Sequence, residues 1–417
     1  MQAWPIRLTV PQLRMVPGSN TRFTVVARPC VMMGYWGQDK MSRIVILLIA
    51  VIIAAFPIER PGAEERPEWV AGTPALVADL DSGRVLYSRN PTLPWYPASL
   101  TKLMTAYVAM DEARNGRVRM DDMFTVSARA AGEPPSKMGF SPGTQIRLDN
   151  ALLIIMVRSA NDVATTIAEG IAGSVDDFVA IMNFHAARLG MHDTYFTNAH
   201  GLPDARKRTT ARDMAILARA LYREFPEQRA LFGLDSIRYG SSTMRNHNGL
   251  IGRYAGTTGM KTGYICSSGF NVVVTAERRG RRLVAIVMGA PSSAERTIRS
   301  AALLEHGFSK LGWGGTTLEA LTRQGGIAPP DLRPVTCGRN PPSSITLPQA
   351  GRERFAFAGG SGSSPLLPQV DLPDRGPANP VRVWTGATPP GAREPVPAPA
   401  AAARAAATVP LPPPRPF

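Results

Sequence analysis

The hydrophobic period changes twice along this chain, and the order of those changes restricts the fold more than any single motif does. Around the turn Asp81-Ser82-Gly83, the runs Pro74 to Leu80 and Arg84 to Ser88 read as the arms of a β-hairpin. After Pro97 the pattern becomes helical: Leu100, Leu103, Met104, Tyr107 and Val108 share one face. Further helices are expected at about Asp149 to Arg158, Asp162 to Ala172, Ser174 to Leu189 and Thr210 to Arg223. The third of these has a capping pair in Ser174 and Asp177 and stops before Gly190. Strands return near Thr258 to Ile265, Phe270 to Glu277 and Arg282 to Met288, and a helix from about Ser293 to Gly307 closes the body. Strands at both ends of the body with only helices between them have to meet in one sheet. The expected class is α+β: an antiparallel sheet with flanking helices plus an inserted helical subdomain.

The ends of the 417-residue chain differ from this body. Met41-Ser42-Arg43 followed by the apolar run Ile44 to Phe56 has the charged start and short hydrophobic stretch of a secretory signal, so residues 41–63 read as a signal peptide or N-terminal anchor and 1–40 as an upstream extension. Export to the periplasm or cell envelope is expected, with the N-terminal segment as the route for any membrane association. Residues 64–312 form the expected catalytic domain. Residues 313–417, rich in Pro, Ala and Gly with few large apolar side chains, are expected to be a disordered tail.

The formal charge of +15 would suit attraction to anionic envelope polymers. Nucleic acid is not expected as a partner, because the basic residues are scattered and no nucleic-acid-binding motif is present. Only six of the 47 basic residues are lysine: Lys40, Lys102, Lys137, Lys207, Lys261 and Lys310. Arginine cannot give up its proton in a protein and lysine can, so a chain that otherwise chooses arginine draws attention to Lys102 and Lys261. The three cysteines, Cys30, Cys266 and Cys337, lack metal-ligand spacing, and no metal or cofactor is expected. In an oxidising compartment Cys266 and Cys337 are either a disulfide or two free thiols.

Three short motifs carry chemistry. Ser99-Leu100-Thr101-Lys102 places a hydroxyl and an amine one helical turn apart, so a lysine with a lowered pKa can activate the serine as a nucleophile. Ser159-Ala160-Asn161 lies at the junction of two expected helices, where a cap role alone for Asn161 or Asp162 is the other reading. Lys261-Thr262-Gly263, followed by Tyr264, sits on an expected strand, where an ammonium and a hydroxyl can meet a carboxylate and glycine allows close backbone approach. Each is weak alone, but the ordered set S-x-x-K, S-x-N and K-T-G is the signature of penicillin-binding proteins and class A β-lactamases.

On these motifs, and on the runs Asn198-Ala199-His200-Gly201-Leu202-Pro203 and Thr210-Ala211-Arg212-Asp213, the sequence resembles the serine D-Ala-D-Ala carboxypeptidases, the low-molecular-mass penicillin-binding proteins, across about Glu68 to Gly312. The resemblance implies a β-lactamase-like or penicillin-binding transpeptidase-like fold, peptidoglycan stem peptides as substrates and β-lactam antibiotics as acylating inhibitors. It implies Ser99 as nucleophile, Lys102 as its base and Ser159 as a proton relay. Asn161, Lys261, Thr262, Gly263 and Tyr264 would bind substrate, with the backbone N–H groups of Ser99 and Tyr264 as the oxyanion hole. Tyr264 departs from several relatives, which carry histidine there. A class A β-lactamase needs a glutamate after the second motif, and His192 to His200 contains none. The alternatives are a D,D-endopeptidase with the same acylation step and a non-catalytic peptidoglycan-binding protein. His200 and His247 read as scaffold residues.

Overall fold

The computed structural model describes residues 72–310, 315–324, 326–338 and 370–386. The upstream extension, the expected leader, residues 64–71 and much of the expected tail lie outside them. Strands β1 (Ala75–Asp79) and β2 (Val85–Arg89) form the first hairpin, its turn organised by the Asp79 carboxylate, which accepts from the N–H groups of Asp81 and Ser82. A 3-10 turn, Ala98–Leu100, runs into α1 (Thr101–Arg114). Next come β3 (Met123–Thr125), α2 (Ala128–Gly132), β4 (Gln145–Arg147), α3 (Leu148–Val157), α4 (Asn161–Ala172), α5 (Val175–Arg188) and α6 (Ala211–Glu224). The hairpin β5 (Ser236–Tyr239) and β6 (Ser242–Arg245) precedes the long strands β7 (Thr257–Ile265), β8 (Gly269–Arg278) and β9 (Arg281–Ala290). Helix α7 (Ser293–Ser309), the short α8 (Arg333–Thr336) and β10 (Pro380–Arg382) follow.

The main sheet has the order β2-β1-β9-β8-β7 with every neighbouring pair antiparallel, so the two ends of the body do share it. Both faces are covered, and the side chains divide by strand alternation. Leu283, Ala285 and Val287 join Ala301, Leu303 and Leu304 of α7 in one core, whereas Val284, Ile286 and Met288 join Met214, Leu217 and Leu221 of α6 in the other. Each fully buried aliphatic side chain contributes roughly 1.5–3 kcal/mol, enough for these two layers to fix the sheet. Strand β7 is left at the edge.

Helix starts explain which serines are free for chemistry. Ser174, Thr210 and Ser292 accept backbone N–H bonds from Asp177, Asp213 and Glu295 as caps of α5, α6 and α7. Helices α1 and α4 begin instead at Leu100 and Ala160 with no side-chain cap. Ser99 and Asn161 are therefore not spent on helix ends, and the capping role open to Asn161 in the sequence is not the one it takes.

The expectation of disorder from residue 313 onward needs correction. Thr317 bridges to Arg84, while Leu318, Leu321, Leu332 and Val383 are buried against the body. Strand β10 pairs in parallel with β5, and Arg375 forms an ion pair with Asp235 at 2.5 Å. Composition averaged over the tail concealed these few apolar anchors, which need no core of their own because they dock on one already built. Cys266 and Cys337 form a disulfide, which resolves the choice left open above.

Candidate active site

The turn carrying Ser99 is gripped from two sides by glycines. Gly201 has φ +94°, and a Cβ there would lie 2.0 Å from the Ala98 carbonyl oxygen. Gly263 on β7 would place a Cβ 3.0 Å from the Ser99 nitrogen, so its missing side chain lets the edge strand lie against the Ser99 backbone. The same turn is tied to the sheet by Asn271, whose Nδ2 donates to the Tyr96 carbonyl at 3.0 Å, and by Trp95, whose Nε1 donates to the Ser268 carbonyl at 2.9 Å. Ala98 itself has φ +48° and Ser159 φ +63°, so a left-handed residue sits at each of the two serine motifs.

Lys102 is completely buried on α1. Its Nζ lies 3.2 Å from Ser99 Oγ, 2.7 Å from Asn161 Oδ1 and 2.6 Å from the His200 carbonyl oxygen. Asn161 is oriented by its own Nδ2, which donates to the Pro134 carbonyl at 2.8 Å and so turns Oδ1 toward the lysine. Burial pushes the Lys102 amine well below its ordinary value, and the cations Lys261 and Lys207 push in the same direction against Asp162 and Glu133. A neutral amine has two N–H donors and one lone pair. The carbonyl and the amide oxygen can only accept, so they take the two donors and leave the lone pair for the Ser99 hydroxyl.

The second serine and lysine are paired likewise. Lys261, buried on β7, donates from Nζ to Ser159 Oγ and to the Thr262 carbonyl, both at 2.9 Å. Burial first, and Arg296 second, lower its ammonium to about 7. Arg296 is buried too, donates to the His247 carbonyl at 2.9 Å, and is lowered by burial to about 10. Neither Lys261 nor Arg296 has a carboxylate partner among the described residues, which leaves positive potential at this end of β7 for an anion from outside. Thr262 is buried beside it, and Tyr264 is exposed, stacked on Phe270 with ring centroids 4.2 Å apart.

The structure thus brings Ser99, Lys102 and Asn161 into one hydrogen-bonded group and Ser159 and Lys261 into another, with Gly263 closing on the first. The sequence reading singled out the run Asn198 to Pro203 and took His200 as a scaffold residue, but did not show the contacts that make this loop a platform beneath them. Asn198 Oδ1 accepts from the Gly201 N–H at 2.8 Å, Lys207 Nζ donates to the Leu202 carbonyl at 2.7 Å, and the Leu202 N–H donates to His200 Nδ1 at 3.1 Å. His200 Nε2 faces Glu133 Oε1 at 3.3 Å. Its imidazole therefore holds a loop, and its carbonyl, invisible to side-chain motifs, serves Lys102. The rarity of lysine in this chain was the one signal that pointed to Lys207.

Solved structures share this architecture. Penicillin-binding protein 5 from Haemophilus influenzae is 33% identical with a TM-score of 0.55, covering 58% of this chain and 72% of that one. Penicillin-binding protein 6B from Escherichia coli, also 33% identical at TM-score 0.55, covers 60% and 80%. The fold is accordingly the β-lactamase-like fold of the penicillin-binding proteins. A family model described as D-alanyl-D-alanine carboxypeptidase matches residues 62–292, and the chain belongs to that family. Among curated relatives, D-alanyl-D-alanine carboxypeptidase DacA of Haemophilus influenzae is 32% identical over 277 residues, 65% of this chain and 70% of the relative. DacC of Escherichia coli is 33% identical over 258 residues, 60% of this chain and 63% of the relative.

Proposed function

We propose that this protein is a serine D-Ala-D-Ala carboxypeptidase that removes the terminal D-alanine from peptidoglycan stem peptides through an acyl-enzyme on Ser99. The observation that carries the reading is the buried Lys102 amine, whose two acceptor-only neighbours reserve its lone pair for the Ser99 hydroxyl. Ser99 Oγ attacks the carbonyl between the two D-alanines as its proton passes to Lys102 Nζ. The N–H groups of Ser99 and Tyr264 receive the oxyanion, a device worth on the order of a hundredfold per donor. Ser159, hydrogen-bonded to Lys261, relays the proton that Lys102 took from Ser99 to the departing D-alanine nitrogen as the C–N bond breaks. Lys261 and Thr262 hold the terminal carboxylate, and Asn161 holds the substrate amide and Lys102. Water then releases the shortened peptide and frees Ser99.

The edge position of β7 supports binding of an extended peptide by strand addition. The same nucleophile is expected to be acylated by β-lactams; penicillin-binding protein D2 from Listeria monocytogenes, 27% identical at TM-score 0.53, has been solved in a cefotaxime-bound form. Export through residues 41–63 would deliver the enzyme to the periplasm, where the Cys266–Cys337 bridge persists. The test is mass spectrometry of pentapeptide and cross-linked muropeptides after incubation with the protein and with its Ser99→Ala variant. Loss of one terminal D-alanine, abolished by the substitution, is expected. Cleavage of the cross-link instead would make the protein a D,D-endopeptidase, and no change in either substrate would leave a binding protein.

A further inference from the structure

Residues 370–386 of the tail dock on β5 and on the turn that follows β6. Asp235 and Asn246 close the β5–β6 pair, where the Asn246 N–H donates to the Asp235 carbonyl at 2.7 Å. From the tail, Arg375 reaches both residues. Its Nε donates to the Asp235 carboxylate at 2.8 Å, one terminal nitrogen donates to the Asp235 carbonyl at 3.1 Å, and the other donates to the Asn246 carbonyl at 2.8 Å. A planar guanidinium serves these three oxygens in fixed directions, so Arg375 pins the point from which the next turn starts.

That turn, Asn246 to Asn248, touches both carriers of the positive potential described above. The His247 carbonyl accepts from Arg296 of α7 at 2.9 Å, and Asn248 Nδ2 donates to the Gly259 carbonyl at 2.9 Å, two residues before Lys261 on β7. A Cβ at Gly249 would fall 2.6 Å from Thr297 Oγ1, so the chain here lies directly against α7. Burial first, and then the charges of Lys261, Arg158, Arg296 and Arg375, hold the His247 imidazole down to about 4, so Arg375 acts on the same small region as the pocket cations. Lys261 and Arg296 are buried cations that repel each other, and neutral oxygens hold them in place; for Arg296 that oxygen is the His247 carbonyl. We infer that Arg375 is a positioning residue for binding of the substrate carboxylate: from the tail it fixes the Asn246–Asn248 turn, which in turn fixes Arg296 and the Lys261 segment of β7. The inference rests on the carboxypeptidase reading above.

The experiment compares two thioester probes of acetyl-D-alanine on the full chain, one with thioglycolate as leaving group and one with its methyl ester. A thiolate departs without a proton, so the second probe reacts measurably although its carboxylate is blocked. The wild type should favour the free carboxylate by about tenfold or more in kcat/KM. In Arg375→Ala that preference should fall at least about fivefold, through a raised KM on the carboxylate probe with the ester probe nearly unchanged. Arg375→Lys, which keeps the charge beside Asp235 but not the fork, should show a smaller fall in the same direction, and it carries the test by itself if the alanine variant does not fold. A preference unchanged in the folded variants, equal losses on both probes included, overturns the inference, because the tail would then only stabilise the body. Equal hydrolysis of the two probes by the wild type overturns it as well, since no carboxylate is then held. If the wild type hydrolyses neither probe, the carboxypeptidase reading itself falls, and the role of Arg375 with it.

Discussion

An amine with short contacts to two oxygens that can only accept, and a longer one to a hydroxyl, has one proton arrangement that suits all three. That arrangement requires a neutral Lys102, whereas the proposed hold on the substrate carboxylate requires a charged Lys261, so the pH dependence of turnover separates their roles. kcat/KM should rise with pH as Lys102 loses its proton, then fall as Lys261 in the free enzyme passes about 7. Because arginine keeps its charge, Lys261→Arg should lose the basic limb whatever its peak rate, which a pH–rate profile will show. Lys207 tests burial in a different way. Burial holds its ammonium near 7 against an ordinary value of 10.5, so between these values the unfolded chain binds more protons than the folded one. Stability should therefore rise with pH across that window and gain nothing from this group below it. Lys207→Met should flatten the rise in thermal unfolding measured from about pH 6 to 10, and an unaltered slope would show that the amine is not buried as described.

At the scale of elements, the cap of α5 and the positions of α5, α6 and α7 were legible in the sequence, as were the three long strands, because each is a local periodic pattern of sufficient length. The strand pairs β3–β4 and β5–β6 escaped the reading because their strands, 3 and 4 residues long, are too short to show a period. The motif residues were legible as well, but the contacts that make them a site were not. Gly201 and Gly263 illustrate the difference: in the sequence they are two glycines in suggestive runs, and in the fold they are where the loop and the strand touch the Ser99 turn. Gly201→Ala combines a backbone collision with a left-handed φ and should cost about 2–4 kcal/mol of stability. Gly263→Ala meets Pro97, Ser99 and Leu100 backbone atoms at about 3 Å, so it should slow acylation by a fluorescent penicillin roughly tenfold with a smaller fall in melting temperature. If the two variants acylate at the wild-type rate, the turn is not held as described.

For the whole molecule, the departure from expectation lies after residue 313. A disulfide closing 71 residues restricts the unfolded chain by about 4 kcal/mol on the chain-entropy account. Cys337→Ser should therefore lower the unfolding free energy by about 2–4 kcal/mol in urea titration, and reduction of the wild type should match it. A loss well below that range would mean that the segment docks on the body without help from the covalent link. The sequence by itself determined the α+β class, the sheet drawn from both ends of the body and the identity of the three motifs, since periodicity and motif order are properties of neighbouring residues. Only the tertiary structure decided that Lys102 takes its third contact from a carbonyl 98 residues away, that Lys261 reaches Ser159 across 102, and that part of the tail closes over the end of β7. Those outcomes depend on burial, and burial belongs to how distant segments pack rather than to any local stretch of chain.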